Sequence, residues 1–337
     1  MHDTVVILPT YNESENLRML LPELKRYEVD ILVADASPNG DTKKVAEQLG
    51  VRVYSHKGKF GRVPTILGGI EATTQKNVVV LDADGQHPAS LVPKLLEVLE
   101  HSDIAVPSRR VAGGGYEGFS LKRKLISGVA NLLAWPLIPK LKDRTSGAIA
   151  FRRAVLNGVK LPHGFSTLTL SILLMGTYNN FEEVPYVFPQ RLHGESKLTR
   201  RMIVEHITHI ARLYLYKFRI LRFMLVGALG SVIGLGSLYA LTEFSGLYYL
   251  AAYPIAFILS VTNNYVWNSL WTFRRNSGAV GWTKYVTICA FTLMLNTALM
   301  YILTDIVGLW YMFSAVLVIL FVFILNYTLS KRFVWRS

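Results

Sequence analysis

The sequence predicts an α/β domain followed by an all-α domain of four transmembrane helices. In the N-terminal part, strand-like apolar runs alternate with helical patterns. In the C-terminal part, long uncharged stretches reach the roughly 20 residues that a membrane-spanning helix needs. The composition changes near Phe223, after which Glu243 and Asp305 are the only acidic residues. A chain of 337 residues is long enough for two such domains.

Short β-rich runs in the first half predict a sheet whose loops carry polar clusters. The runs cover residues 4–8, 31–33, 51–54 and 78–81, with helical patterns between them. Such alternation is typical of a parallel sheet that helices cover on both faces. Ligands bind such sheets at the carboxyl ends of the strands. The polar clusters follow at these ends, at 9–13, 35–40 and 82–87.

The segment Asp82-Ala83-Asp84-Gly85-Gln86 is the chemical centre of the predicted site. Two carboxylates one residue apart, directly after a strand, can share a divalent cation. Mg²⁺ and Mn²⁺ are hard cations that prefer oxygen ligands, including the phosphates of a substrate. His87 has two interpretations: it is either a further ligand or a helix-start residue beside Pro88.

Ordered motifs along residues 4–200 resemble those of one enzyme family. They are Pro9-Thr10-Tyr11-Asn12-Glu13, Asp35-Ala36-Ser37-Pro38-Asn39-Gly40, Asp82-Ala83-Asp84-Gly85-Gln86-His87-Pro88, Ser108-Arg109, Gly113-Gly114-Gly115, Asp143-Arg144-Thr145-Ser146-Gly147, Arg191 and Gly194-Glu195-Ser196-Lys197. Together they resemble family 2 glycosyltransferases, and more closely the dolichyl-phosphate mannose synthases and their polyprenyl-phosphate relatives. The order of the motifs makes the resemblance specific to that subfamily.

The resemblance implies a GT-A (Rossmann-like) fold, a nucleotide-sugar donor and a lipid-phosphate acceptor. On the donor side it implies nucleoside contacts from Pro9, Tyr11 and Glu13, base recognition by Asp35, and nucleotide-sugar contacts from Asp82 and Asp84. It also implies that Asp82, Asp84 and Gln86 bind Mg²⁺ or Mn²⁺. The chain departs from the family at two positions, with Ala34 where an acidic residue is frequent and Gly85 where the residue is usually larger.

Basic residues supply candidates for binding the acceptor phosphate. They are Arg109, Arg123, Arg191 and Lys197, together with Ser196. Arginine presents a planar fork that suits phosphate oxygens, and lysine adds a point charge. Residues 121–141 and 199–218 mix basic and large apolar side chains, which predicts helices lying along a membrane surface. The net charge of +13 then suits an anionic bilayer and phosphate-bearing substrates rather than nucleic acid.

The expected reaction is attack of the acceptor phosphate on the anomeric carbon with inversion. A phosphate monoester is largely ionised at neutral pH, since its second pKa is about 6, and needs little help from a base. Asp84, Arg109 and Asp143 are the candidate catalytic residues, with Asp143 contacting the sugar or orienting the acceptor. The motif set favours GDP-mannose as donor, with UDP-glucose as the alternative. A processive polysaccharide synthase would carry a Gln-x-x-Arg-Trp signature, which the sequence lacks.

The domain boundaries follow from the change of composition. We expect a GT-A catalytic domain at 1–198, an amphipathic linking helix at 199–219 and a membrane domain at 220–337, with helices at 223–242, 246–270, 285–304 and 308–330. The loops on one side of these helices are basic, and those on the other carry Glu243 and Asp305. The positive-inside rule therefore predicts a multi-pass protein whose catalytic domain and both termini are cytoplasmic.

The predicted membrane helices form an internal repeat with an offset of 62 residues. Tyr239-Ala240-Leu241-Thr242-Glu243 matches Tyr301-Ile302-Leu303-Thr304-Asp305, and Asn264-Tyr265 matches Asn326-Tyr327. This hairpin repeat and the aromatic ends of the helices resemble the GtrA-like membrane domain family. Three roles remain open for this part: it anchors the enzyme in the bilayer, assembles homo-oligomers, or moves the glycolipid across the membrane.

Overall fold

The computed structural model describes residues 3–56, 61–118, 121–161, 167–189 and 200–336. The chain forms two compact units, Met1–Leu213 and Tyr214–Ser337. The first unit contains every strand found in the described ranges, and the second is helical. The predicted fold class, an α/β domain followed by an all-α domain rich in apolar residues, is therefore confirmed.

Seven strands of the first unit form one sheet in the order β3-β2-β1-β4-β7-β5-β8, and β6 pairs with β9. Their bounds are β1 Thr4–Thr10, β2 Asp30–Asp35, β3 Arg52–Ser55, β4 Asn77–Val80, β5 Ile104–Ser108, β6 Gly115–Tyr116, β7 Ile149–Arg152, β8 Phe181–Pro185 and β9 Val187–Phe188. The four strands predicted from the sequence correspond to β1 to β4 and are parallel to one another.

The large sheet is mixed, which corrects the prediction of a parallel sheet. Strand β7 lies between β4 and β5 and runs antiparallel to both. An antiparallel strand needs no helical crossover to its neighbour. The alternation of strands and helices in the sequence therefore could not indicate that β7 runs antiparallel.

Within the described ranges, six α-helices lie in the first unit, and a seventh crosses the boundary between the two units. They are α1 Ser14–Leu24, α2 Asp41–Gln48, α3 Arg62–Glu71, α4 Leu91–His101, α5 Leu121–Leu133, α6 Leu168–Met175 and α7 Arg200–Lys217. Helix α1 buries Leu17, Leu20, Leu21 and Leu24, at the spacing of one helix face. These leucines belong to the core around the fully buried centre of β1. The core thereby fixes the strand ends, from which the loops of the candidate site extend.

The second unit contains helices α8 Arg219–Glu243, α9 Tyr249–Trp267, α10 Gly278–Tyr301 and α11 Tyr311–Leu329. π-helical turns continue the last three helices. Within the described residues, three stretches are long and apolar enough to cross a membrane: Arg219–Glu243, Gly278–Ile306 and Tyr311–Val334. Helix α9 contains Pro254, Asn263 and Asn264, whose polarity lowers its hydropathy, so its membrane crossing stays a prediction.

The internal sequence repeat has a counterpart in the packing of the second unit. Phe273 and Trp335 occupy equivalent positions, and their rings stack with centroids 4.5 Å apart. Tyr327 stacks on Phe273 at 6.2 Å, and its equivalent Tyr265 stacks on Trp335 at 5.7 Å. Each half therefore contributes the same aromatic pair to a shared cluster, as expected for a duplicated hairpin.

Candidate active site

The loops after β1 and β2 are held together around a buried carboxylate. Asp35, which is 4% exposed, accepts hydrogen bonds from Thr10 Oγ1 at 2.9 Å and from Ser37 Oγ at 2.6 Å. The backbone N–H of Asn12 donates to the same Ser37 hydroxyl, at 2.8 Å. Parallel pairing of β1 and β2 sets Thr10 opposite Asp35 and makes this contact possible. The structure thus joins the two predicted nucleoside-binding loops into one surface.

The other predicted nucleoside contacts lie in the loop after β1 and are partly exposed. Pro9, Tyr11 and Glu13 each keep part of their surface accessible. The backbone N–H of Glu13 donates to Thr42 Oγ1 at 3.2 Å, which connects this loop to the start of α2. Its carboxylate accepts a 2.6 Å hydrogen bond from Asn16, in the first turn of α1. These side chains remain accessible beside the buried Asp35.

The loop after β4 presents oxygen atoms at the predicted metal site. Asp84 Oδ1 accepts the backbone N–H of Gln86 at 3.1 Å. Gln86 is 4% exposed, and its amide nitrogen donates to the carbonyl of Pro189 at 3.3 Å. Gly85 has φ +76°, a left-handed conformation that favours glycine. This conformation explains why a glycine stands at a position where the family that the sequence resembles usually has a larger residue.

The donor set fits a hard divalent cation. In the described ranges, no three His, Cys, Asp or Glu side chains are grouped to hold a metal ion. Mg²⁺ is usually bound by one or two carboxylates together with substrate phosphates, so two aspartates and an amide oxygen are sufficient. The hydrogen bond from the Gln86 amide nitrogen leaves its oxygen as the atom suited to such a cation. The oxygens of Asp82, Asp84 and Gln86 therefore agree with the predicted metal.

Asp82 is bound by a cation that sequence reasoning did not identify. Arg62, the first residue of α3, donates to Asp82 Oδ1 through Nε at 3.1 Å and through Nη2. Arg62 Nη2 also donates to the carbonyl of Gly147 at 2.8 Å. A Cβ at Gly147 would lie 2.8 Å from Asp82 Oδ2, so a larger residue there would shift the Asp82 carboxylate. The signal in the sequence that could have identified Arg62 is its position beside Gly61, at the start of the helix that precedes β4 and the Asp-x-Asp segment.

His87 lies behind the metal loop, with 1% of its surface exposed. Its Nδ1 is 3.5 Å from Asp82 Oδ2, and its Nε2 is 3.2 Å from the hydroxyl of Tyr186. Burial lowers the pKa of His87, and this effect outweighs the opposing charges of Asp82 and Asp84. A neutral imidazole packed between Tyr186 and Phe188 supports the loop from inside. The sequence left His87 as either a metal ligand or a helix-start residue. In the structure it contacts Asp82, a predicted metal ligand, and supports the loop that carries it.

Arg109 and Asp143 form a buried ion pair, although 34 residues separate them in the sequence. Arg109 Nε donates to Asp143 Oδ2 at 2.7 Å, and Nη2 donates to Oδ1 at 2.8 Å. The backbone N–H of Arg109 adds a third bond at 3.0 Å, and Nη2 also reaches Thr145 Oγ1 at 2.8 Å. The rings of Tyr116 and Phe188 each lie 5.2 Å from the guanidinium carbon. The pair thus fixes the orientation of the guanidinium.

The charges of this pair stabilise each other. Burial would raise the pKa of Asp143, but the hydrogen bonds and charge of Arg109 lower it overall. Burial would likewise lower the pKa of Arg109, but Asp143 raises it overall. An aspartate with a depressed pKa is a weak base. The geometry therefore agrees with Asp143 orienting a cation rather than removing a proton.

One chain of contacts connects the metal loop to this ion pair. His87 touches both Asp82 and Phe188, and Phe188 touches Arg109. The structure therefore brings Asp82 and the Arg109–Asp143 pair into one site. Arg123 is exposed on α5. Arg191, Ser196 and Lys197 lie outside the described residues.

Two family matches cover most of the chain. Residues 5–159 match the family described as Glycosyl transferase family 2, and residues 222–335 match the GtrA/DPMS transmembrane domain. The first match contains strands β1 to β7 and the Arg109–Asp143 pair. The second contains the aromatic cluster of the repeat.

Named proteins show similarity along both parts. A dolichol-phosphate mannosyltransferase of Pyrococcus furiosus is 35% identical over 352 residues, covering 98% of this chain and 99% of that protein. An undecaprenyl-phosphate mannosyltransferase of Micrococcus luteus is 32% identical over 227 residues, covering 62% of this chain and 92% of that protein. Among solved structures, glucosyl-3-phosphoglycerate synthase from Mycobacterium tuberculosis with Mn²⁺ and UDP aligns at 20% identity and TM-score 0.49, covering 63% of this chain and 78% of that one.

Proposed function

Since the chain belongs to glycosyl transferase family 2, with a membrane domain of the GtrA/DPMS type, we propose that it transfers mannose from GDP-mannose to dolichyl or polyprenyl phosphate. The observation that carries the proposal is the end-to-end similarity to a dolichol-phosphate mannosyltransferase, which includes both domains. A membrane domain on the same chain suits an acceptor whose hydrocarbon stays in the bilayer. The product would be a lipid-phosphate sugar.

The donor would bind at the carboxyl ends of β1, β2 and β4. Asp35 is buried and oriented by two hydroxyl groups, which suits recognition of a nucleobase edge. Pro9, Tyr11 and Glu13 would contact the nucleoside. Asp82, Asp84 and Gln86 would hold Mg²⁺ or Mn²⁺, which when bound neutralises charge on the leaving diphosphate.

The transfer would proceed as a single displacement with inversion. An oxygen of the acceptor phosphate forms the new bond to the anomeric carbon, and the bond from that carbon to the donor diphosphate breaks. The bonding electrons leave with the nucleoside diphosphate. The attacking phosphate already carries negative charge near neutral pH, its second pKa being about 6, so no side chain has to remove a proton. Catalysis would rest on positioning and charge stabilisation.

Arg109 is the residue we assign to the acceptor phosphate, and Asp143 is its positioning partner. Asp143 and Thr145 engage Nε and Nη2 of the guanidinium, so Nη1 is the nitrogen suited to a phosphate oxygen. A preorganised cation stabilises developing charge without the cost of reorientation. Arg123, Arg191, Ser196 and Lys197 would complete the phosphate site.

Helix α5 supports a location of the site beside the membrane. Its large apolar side chains point away from the core, with Leu121 85% exposed and Leu125 69% exposed. Arg123 and Lys124 lie on the same helix and are also exposed. A helix with exposed leucines and adjacent cations suits the interface of an anionic bilayer. The basic loops of the membrane domain support a cytoplasmic location for this surface.

A donor screen tests the proposal directly. The full-length protein in detergent would be incubated with a polyprenyl phosphate, Mg²⁺ or Mn²⁺, and GDP-mannose, GDP-glucose, UDP-glucose or UDP-galactose in parallel. We expect a lipid product heavier by one hexose with GDP-mannose, and none when EDTA is present. A product formed only from UDP-glucose would replace the mannose assignment. Sugar transfer to a water-soluble hydroxyl acceptor, with none to the lipid, would overturn the proposal.

A further inference from the structure

Arg62 places a fixed positive charge inside the proposed metal site. Its Nε lies 3.1 Å from Asp82 Oδ1, and its Nη2 donates to the same oxygen. The two side chains are 28% and 29% exposed, so they remain accessible to ligands. A charge-assisted contact with two donors on one oxygen is among the stronger kinds of side-chain hydrogen bond. Arg62 therefore neutralises a carboxylate that a divalent cation needs.

Arg62 and a divalent cation oppose each other at Asp82. Both are positive, and they repel when they share one carboxylate. The cation would have to displace Arg62 from Oδ1 or accept a weakened ligand. A cation that binds alone therefore has to break the Arg62 contact, whereas a variant without this charge lacks one competitor of the cation for Asp82 Oδ1.

Arg62 has a second contact, to a group other than Asp82. Nη2 donates to the carbonyl of Gly147 at 2.8 Å, within the segment that begins at Asp143. This bond can keep the arginine near the site after Asp82 is released. The planar guanidinium also matches the oxygens of a diphosphate, which carries more charge than one aspartate. The diphosphate of the donor is thus a stronger partner for Arg62 than Asp82 is. Asp82 can then bind the divalent cation.

We propose that Arg62 is an internal counter-ion that competes with the divalent cation for Asp82 until the diphosphate of the donor draws it away. The inference rests on the proposed function, because it takes Asp82 as a metal ligand and a nucleoside diphosphate as the leaving group. It makes cation and nucleotide bind cooperatively, since each favours the same rearranged state. Arg62 then limits metal binding to the enzyme that already holds its donor.

The test measures Mn²⁺ binding by the full-length protein in detergent, from the electron paramagnetic resonance signal of free Mn²⁺, with and without GDP. The variants are Arg62→Gln, which removes the charge, and Arg62→Lys, which keeps it. Arg52→Gln is the matched control, because Arg52 pairs with Asp30 at the opposite edge of the sheet. For Arg62→Gln we expect Mn²⁺ alone to bind about three- to tenfold more tightly, as losing an ion-pair competitor implies. GDP should then raise Mn²⁺ affinity less than in the wild type.

Equal or weaker Mn²⁺ binding by Arg62→Gln, with Arg62→Lys and the control unchanged, would overturn the proposal. So would an undiminished effect of GDP in that variant, or a lack of Mn²⁺ binding by both the wild type and Arg62→Gln without nucleotide. A thermal unfolding curve for each variant confirms that the compared proteins are folded. The donor screen reports separately on the reaction: Arg62-dependent Mn²⁺ binding without any lipid product would reject the proposed function and keep this inference.

Discussion

Asp84 belongs to the metal loop but is held differently from Asp82. Its Oδ1 accepts the backbone N–H of Gln86, whereas Asp82 is bound by Arg62. We expect Asp84→Ala to remove a metal ligand and lower transfer by about a hundredfold or more, the size found when one electrostatic group is lost. The readout is lipid product formed across a Mn²⁺ titration. Asp30→Ala, at the opposite edge of the sheet, should leave turnover unchanged. Near-normal turnover by Asp84→Ala would refute its assignment.

The Arg109–Asp143 pair gives a second prediction at this scale. Asp143→Asn keeps the shape but leaves a buried cation without its counter-charge. Such a loss costs about 3–5 kcal/mol of folding free energy and should also misplace Arg109. Denaturant unfolding of the α/β unit measures the first effect, and KM for the acceptor measures the second. The matched control is Asp30→Asn, because its pair with Arg52 is half exposed and worth about 1 kcal/mol or less.

The pH dependence of this pair has a definite sign. The pKa of Asp143 is lower in the folded protein than in the unfolded chain. Its contribution to stability is therefore complete above the unfolded pKa of about 3.9 and is lost as the pH falls through the folded value. The stability difference between wild type and Asp143→Asn should stay constant from neutral pH to about pH 5 and narrow below pH 4. A difference that grows on acidification would contradict this.

Single residues were predictable from the sequence, whereas their pairing was not. Asp82, Asp143 and Arg109 stand in recognisable motifs, and the structure brings them into one site. The contact between Arg109 and Asp143 depends on β5 and the loop before β7 meeting in three dimensions. Arg62 has no motif, because its role depends on the start of α3 meeting the loop after β4 in three dimensions. Tyr186 and Phe188 contact the ring of His87, and they lie just before β9 and at its end, in a segment whose sequence shows no sign of this role.

At the scale of elements, the glycines after β5 set the position of Arg109. A Cβ on Gly114 would lie 2.6 Å from the carbonyl oxygen of Ser108 and 2.9 Å from the carbonyl carbon of Arg109. Gly114→Ala must therefore shift the backbone that carries Arg109. A displacement near 1 Å can cost about a hundredfold in rate, so we expect a fall in kcat/KM of about ten- to a hundredfold.

Gly115 provides the matched control for this prediction. A Cβ there meets no atom within 4 Å, and the residue does not adopt a left-handed conformation. Gly115→Ala should keep kcat/KM within about twofold of wild type, as expected for a substitution without steric conflict. Comparable losses of kcat/KM in both variants would show that adding a methyl group anywhere in this segment lowers activity. The close approach of a Cβ at position 114 to Ser108 would then not be the cause.

The individual strands and helices also differ in how far they could be predicted from the sequence. Strands β1 to β4 lie in β-rich runs that alternate with helices, and each was predicted. Strand β7 was not, since its four residues follow a site loop and pair in the antiparallel direction. The repeat in the membrane half was visible at a fixed offset. Its consequence, the stacking of Phe273 on Trp335, required the structure.

At the scale of the whole molecule, charge distribution predicts the side of the membrane on which the reaction occurs. Arg274, Arg275 and Lys284 lie between the second and third helices, and the other two loops carry Glu243 and Asp305. Positive loops remain in the cytoplasm. In a variant with Cys289→Ala, the single native cysteine is absent, so one new cysteine reports one loop. Ser245→Cys and Asn276→Cys place it at exposed positions in loops of opposite charge.

We expect a membrane-impermeant maleimide to label Ser245→Cys in intact cells and to label Asn276→Cys only after permeabilisation. This result would place the α/β domain, which precedes the first membrane helix, on the same side as Asn276. Nucleotide sugars would then reach the site from the cytoplasm, and the acceptor phosphate would be in the inner leaflet. The opposite labelling pattern would indicate that the site lies on the outer face, where cytoplasmic nucleotide sugars could not reach it. Labelling of both positions in intact cells would contradict a fixed orientation, because a helix with one basic end inserts in one direction.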